Sequence, residues 1–342
     1  NIVRSWPLAE QITFFERELG LALVEEPESA KLFPVSNRAR DVRDGLLALA
    51  ARRGARFLPN MLVTELVPAG AGWRVLCEGA PPIEADAVIV ATGGLSVPKT
   101  GSDGIGLSIL ERLGHAVHPT YAALTPLTDD GGSYAALAGV SLPVTITARS
   151  AEHDSTASGG FLFTHRGYSG PSVLDVSHVA VRSRRPGGTA ATIEVSWTVL
   201  GEADWARALR AEGAGTVAAV IRREMPQRLA DALVAAAGVD ASTRLAQLRR
   251  EDRLRLIEVL TRGTLPWTGD EGYRKAEVTG GGISLADVDP RTLQSRRVEG
   301  LYICGEVLDA FGPIGGYNFL WAWCTGRAAG VAAALAPPPR TL

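Results

Sequence analysis

The sequence predicts an α/β fold: an open, doubly wound Rossmann-like sheet, interrupted by an inserted body that is β-rich first and helical second. Three observations predict it. Residues 85–91 (ADAVIVA) and 301–304 (LYIC) are short unbroken apolar runs, the pattern of parallel strands covered on both faces. The first run leads through Thr92 into Gly93-Gly94, and the second leads directly into Gly305. Between them the composition changes. Residues 121–199 alternate β-branched residues with Gly, Ser and Pro, and 204–261 are rich in Ala, Leu and Arg with helical spacing.

Taken in order, residues 8–19 read as an amphipathic helix and 41–53 as a second one, closed by Gly54. Residues 56–67 and 73–78 alternate like strands around a turn at 68–72. A short helix over 105–113 returns the chain towards His115 and Pro119. The expected organisation is a ligand-binding domain made of 1–120 and 276–335, with an insertion at 121–275. The insertion divides into a β-rich part, 121–200, and a helical part, 201–265. The tail 336–342 (APPPRTL) is expected to be disordered.

Residues 300–330 hold the densest motif. A buried strand runs into a turn carrying Gly305 and Glu306, then a second turn with Gly312, Gly315 and Gly316, then a long apolar helix opening near Asn318. Glycines crowded before a helix let backbone N–H groups come close to a ligand, and the helix N-terminus carries partial positive charge. That arrangement suits the electron-poor end of a flavin, where negative charge collects on reduction. Glycines that serve packing alone are the alternative. The turn Ala91-Thr92-Gly93-Gly94 favours the ligand reading. Two parallel strands that end in glycines open on one sheet edge, and doubly wound sheets bind ligands there.

His165 is the acid–base candidate. It lies in Thr164-His165-Arg166-Gly167-Tyr168-Ser169-Gly170-Pro171, where Gly and Pro dictate the backbone path. Its ring can pass a proton near neutral pH, or it can bond backbone groups and hold the turn. Ser169 reads as a cap for a short helix started by Pro171, and Asn318 as the N-cap of the last helix, with Tyr317 beside it at the helix mouth. Lys99 reads as a solvated loop lysine, or as a partner for an anionic group. His115, His118, His153 and His178 lack the spacing of a shared metal site, and no nucleophile-elbow motif is present.

The bulk numbers exclude other classes. A chain of 342 residues with 46% apolar content can hold a large core or several ordinary ones. A net charge of −2 provides no basic field for nucleic acid or an anionic membrane. Three widely separated cysteines, Cys77, Cys304 and Cys324, suit a reducing cytoplasm, and Cys304 reads as a buried inert thiol. No secretory signal or uninterrupted membrane-length apolar run is found.

In residues 31–42 (KLFPVSNRARDV), 90–106 (VATGGLSVPKTGSDGIG), 161–172 (FLFTHRGYSGPS), 276–283 (AEVTGGGI) and 300–330, the chain resembles the BaiN/RdsA (YhiN-like) NAD(P)/FAD-dependent oxidoreductases. The resemblance implies a glutathione-reductase-like FAD-binding domain and redox chemistry on a small organic substrate. An activated C=C bond is one such substrate, with NAD(P)H visiting as donor. It implies cofactor contacts at Val63, Ala91, Thr92, Gly93, Gly94, Gly305, Glu306, Gly315, Gly316, Tyr317 and Asn318, and it puts His165 towards the flavin face. An ordinary strand valine is an equal reading of Val63.

Two features depart from the family pattern. Gly305-Glu306 stands where Gly-Asp is usual, and no strand–GxGxxG–helix unit is found. With a first residue Asn1 rather than Met, the expectation is a fragment without the amino-terminal βαβ unit, binding FAD weakly or not at all. A catalytically inactive fragment or scaffold is the competing expectation. Neither nucleic acid nor membrane is expected as a partner, and oligomeric state is left open.

Overall fold

The computed structural model describes residues 2–27, 31–212 and 215–336. All but the first residue of the tail 336–342 lie outside them. The chain divides into two compact units. One comprises Asn1–Leu95, Lys99–Thr120 and Gly281–Leu342, the other Ser96–Pro98 and Tyr121–Gly280.

The first unit is built on a parallel pair, Val88–Val90 with Leu301–Ile303, in the register Leu301↔Val88 and Ile303↔Val90. Tyr302 and Ile303 are buried, as the unbroken apolar run requires, and they pack with Leu110, Val307, Leu308 and Ala329. The apolar run at 85–91 is shorter as a parallel strand than its composition suggests. Ala80–Ala85 instead forms the third strand of an antiparallel meander with Val63–Ala69 and Gly72–Cys77. Trp73 of the meander is buried in the same core. The strand expected at 56–67 begins only at Val63, and the helix expected at 8–19 is α-helical over Leu8–Thr13 before widening into a π turn at Phe14–Glu18. The helix Ala39–Arg52 ends as expected, with Gly54 at φ 86 just past its C-cap.

In the second unit a seven-stranded sheet runs in the order Gly263–Thr264, Thr192–Ser196, Ser141–Arg149, Asp154–Thr164, Gly167–Ser169, Leu127–Thr128, Gly269–Asp270. All of its pairings are antiparallel. Alternation along Ser141–Arg149 sends Val144, Ile146 and Ala148 inward, so one sheet face is apolar. Helix Pro171–Ser183 packs on that strand and its neighbour. Phe161, Phe163, Tyr168, Trp197 and Trp205 join Leu229, Leu233, Leu256 and Leu260 from the helices in one core.

Candidate functional site

The two glycine turns leave the same end of the parallel pair. Val90 and Ile303 are partners, and the N–H of Cys304 donates to the carbonyl of Val90 at 3.1 Å. Ala91–Gly94 and Gly305–Glu306 therefore start side by side at one sheet edge, the edge where open α/β sheets bind ligands.

The acid-bearing turn is held from the last helix, Tyr317–Leu335. The N–H of Gly305 donates to Thr325 Oγ1 at 3.0 Å, and the Trp321 indole N–H donates to the Gly305 carbonyl at 3.0 Å. Thr325 is fully buried, and its own hydroxyl donates to the Trp321 carbonyl at 2.7 Å. Both polar groups of the Gly305 peptide are thus committed to one helix. Glu306 follows in a short 3-10 turn, Gly305–Val307, and is half-buried.

Asn318 corrects a sequence expectation. Gly316, at φ 88, occupies the N-cap position, and Asn318 lies inside the first turn. Its side chain instead clamps the preceding loop. The Gly312 N–H donates to Asn318 Oδ1 at 2.8 Å, and Asn318 Nδ2 donates to the Gly312 carbonyl at 3.1 Å. With the cap a glycine, the first N–H groups of the helix have no capping side chain. Tyr317 is exposed at the mouth.

Thr92 is set by a close approach. The helix Ile105–Arg112 has Gly104 at its N-cap and Gly106 against Thr92, where any Cβ would run into the threonine side chain. Gly94 is buried and Gly93 half-buried, while Ala91 and Thr92 are exposed. Val63 opens the meander beside a register shift between Val63 and Glu65, and its half-buried side chain packs against the core.

The residues present fit the ring end of a flavin on one structural count. A Cβ added at Gly305 or at Gly316 meets nothing within 4 Å, so there is open space at both positions. The chemistry matches: a half-buried carboxylate beside one turn, and uncapped helix amides at the other. Cys304 is buried, which pushes its thiol up to about 11 and keeps it protonated at neutral pH.

His165 belongs to the second unit, in the two-residue turn between Asp154–Thr164 and Gly167–Ser169. It is exposed, and the turn is held without it. The Arg166 N–H donates to Thr164 Oγ1 at 3.2 Å, and the Arg166 carbonyl accepts from Asp129 N–H at 2.9 Å. Ser169 is not the helix cap: Gly170 stands at that position, since Pro171 begins the helix directly after it.

Sequence reasoning missed a histidine–carboxylate pair in the first unit. His118 Nδ1 donates to Asp309 Oδ2 at 2.5 Å, across 191 residues. Asp309 lies in the loop between Glu306 and the second glycine turn, tied down by its N–H to the Ile283 carbonyl at 2.8 Å. No spacing rule could have found this pair. Among the described residues no group of three or more His, Cys, Asp or Glu is placed to hold a metal, and no helix is long and apolar enough to cross a membrane.

A parallel pair ending in two glycine turns, with the mouth of the last helix at Gly316 beyond the second, defines a Rossmann-type α/β protein. The chain belongs to the HI0933-like protein Rossmann domain family, which it matches over residues 3–332. It is 38% identical over 243 residues to the ribosomal RNA dihydrouridine synthase of Escherichia coli strain K12, a match spanning 69% of this chain and 58% of that protein. A ribosomal RNA dihydrouridine synthase of Haemophilus influenzae is 31% identical over 94% of this chain and 77% of its own. The 3-dehydro-bile acid delta(4,6)-reductase of Clostridium scindens is 27% identical over 98% of this chain and 83% of its own.

Proposed function

We propose that this protein is an FAD-dependent reductase that saturates a ring C=C bond conjugated to a carbonyl, with NAD(P)H as the donor and uridine in RNA as the substrate class. The observation that carries the flavin assignment is the pair of glycine turns, Ala91–Gly94 and Gly305–Glu306, starting side by side at one sheet edge, with open space over Gly305. The substrate class is drawn from the relatives. Two are named for dihydrouridine in ribosomal RNA, and the third for a bile-acid double bond. Uracil and a dienone differ in size but share an alkene polarised by a carbonyl. Hydride adds to the carbon remote from that carbonyl, and a proton completes the neighbouring carbon.

When bound, FAD supplies the hydride. The chain's own residues would do the rest. Glu306 would accept a ribityl hydroxyl, with Gly305 held in register by Thr325 and Trp321. The amides at Gly316–Asn318 would stabilise negative charge at the pyrimidine edge. His165 is the proposed proton donor, and its freedom from turn-holding bonds supports that role. His118, oriented by Asp309, is the second candidate in the flavin-bearing unit.

The test is anaerobic reduction of the FAD-loaded full-length protein, then reoxidation by a uridine-containing ribosomal RNA fragment or by a steroid dienone. Reoxidation by RNA with formation of dihydrouridine is expected. Reoxidation by the dienone alone would move the substrate to the small-molecule class. A colourless protein indifferent to FAD would favour an inactive scaffold.

A further inference from the structure

His165 stands at the tip of a hairpin that one segment, 127–140, grips on both sides. Thr164 pairs with Gly167, so His165 and Arg166 form the turn. Downstream of the turn, Gly167 and Tyr168 pair with Thr128 and Leu127. The approach is close enough that a side chain at Gly167 would run into the Leu127 carbonyl. The strand Leu127–Thr128 is paired on its other edge with Gly269–Asp270, so it lies inside the sheet. Upstream of the turn, Phe163 is bonded at both of its peptide groups. Its N–H donates to the Val140 carbonyl at 3.0 Å, and its carbonyl accepts from the Gly139 N–H at 2.9 Å. The chain between these two grips passes through Asp129.

Asp129 is a buried carboxylate, 7% exposed, that ties the grips together. Its Oδ1 accepts the Gly131 N–H at 3.1 Å, and its Oδ2 accepts the Ser133 N–H at 2.9 Å. With the Gly132 N–H on the Asp129 carbonyl at 3.0 Å, these bonds fold the loop that returns to Phe163. A turn-forming aspartate needs no more than that. Asp129 makes two further bonds, both to the hairpin. Its Oδ2 accepts the Tyr168 hydroxyl at 3.2 Å, and its N–H donates to the carbonyl of Arg166, the neighbour of His165, at 2.9 Å. Tyr168 is fully buried. Burial, and then the charge of Asp129, push its phenol up, so it stays a donor. The backbone is therefore fixed on both sides of His165, while the imidazole itself is exposed.

We propose that Asp129 is a positioning residue for the reduction: through Tyr168 and the Arg166 carbonyl it fixes the direction from which His165 delivers its proton. This rests on the reading of His165 as the proton donor. Proton transfer needs donor and acceptor within hydrogen-bond reach, and a displacement of about 1 Å can cost about a hundredfold in rate. A hairpin held at Phe163, Arg166 and Tyr168 leaves the side-chain torsions of His165 as its main freedom.

The test is steady-state turnover of the FAD-loaded full-length protein with NAD(P)H and the ribosomal RNA fragment, or with the steroid dienone should that be what reoxidises the flavin. The variants are D129N, Y168F, H165A, D129N/H165A and Y168F/H165A. D129N and Y168F are each expected to lower kcat by about tenfold, with KM and FAD affinity within about twofold of wild type. Each double variant is expected to be no slower than H165A, because residues that act through one group are not additive. A structural role alone would slow H165A by the factor that it slows wild type, and that additivity overturns the proposal. Y168F keeps its ring against Phe161 and Phe163 and removes the bond to Asp129, so it carries the test if D129N does not fold. A wild-type kcat in D129N or in Y168F, with H165A slow, sinks the positioning role alone. Turnover in H165A equal to wild type, or of neither substrate by wild type, sinks the proton-donor reading and the positioning role with it.

Discussion

Cys304 donates its backbone N–H to the carbonyl of Val90 at 3.1 Å, the last rung of a parallel pair. One residue further on, Gly305 leaves the sheet and gives both of its peptide groups to Thr325 and Trp321. The glycine turn proposed to meet a flavin is therefore held on one side by a strand and on the other by the last helix.

Thr325→Val should cost about 1–3 kcal/mol in the first unit, because it takes the acceptor, a fully buried hydroxyl, from the half-buried Gly305 N–H while conserving shape. Denaturant unfolding measures the loss, and FAD affinity should fall with it. Thr325→Ser, which keeps the hydroxyl, should retain most of both. A Val variant as stable as wild type would show that the Gly305 turn does not depend on this bond.

Gly106→Ala should destabilise the first unit by about 1–3 kcal/mol, since the added methyl meets the Thr92 side chain at a packed helix start. Thr92→Ala in the same chain should recover much of that loss, a coupling between contacting residues. Additive effects in a double-mutant cycle would mean that the turn at Thr92 is not set by this helix.

Acidification should weaken the first unit through His115. Two backbone N–H groups, from Arg297 and Val298, donate to Ser295 Oγ at 3.0 Å each, so the hydroxyl proton points at His115 Nε2, 2.8 Å away. Nδ1 then carries the ring proton and donates to the Leu110 carbonyl at 3.0 Å. This arrangement holds a neutral imidazole, and burial lowers its pKa. The unfolded chain binds the proton more readily. Stability is therefore complete above the unfolded value of about 6.5 and is lost as pH falls through it towards the depressed folded value. Denaturant midpoints measured between pH 7.5 and 5 should fall for wild type. The fall should be shallower for His115→Gln, and an identical fall in both would remove His115 as a cause.

His165→Ala should lower turnover by about a hundredfold or more while leaving FAD affinity unchanged, as expected when a general acid is removed from outside the cofactor's own contacts. If turnover is unchanged in His165→Ala but falls in His118→Ala, the proton comes from the His118–Asp309 pair instead.

Several features were legible in the sequence by local rules. An unbroken apolar run marks a strand covered on both faces, and glycine at its end marks a turn, so the Val88–Val90 and Leu301–Ile303 strands could be read one at a time. Helix periodicity likewise marked Ala39–Arg52 and Ile105–Arg112. Where two rules competed, local reading erred. The strand read over 56–67 begins only at Val63, where it pairs with Gly72–Cys77 across a short hairpin turn. Asn318 has the chemistry of a cap, yet Gly316 holds that position and frees the amide to clamp Gly312.

By itself the sequence determined the covered strands at Val88–Val90 and Leu301–Ile303, the helices at Ala39–Arg52 and Ile105–Arg112, and the glycine turns beside them, because those depend on neighbours within a few residues. The tertiary structure alone decided which distant groups meet. Thr325 accepts from Gly305 across 20 residues, and His118 reaches Asp309 across 191. It also decided that His153 faces His178 and that two arginines share the Tyr121 ring. Such contacts arise from the packing of whole elements, and a side chain's type and spacing carry no record of what that packing brings within reach.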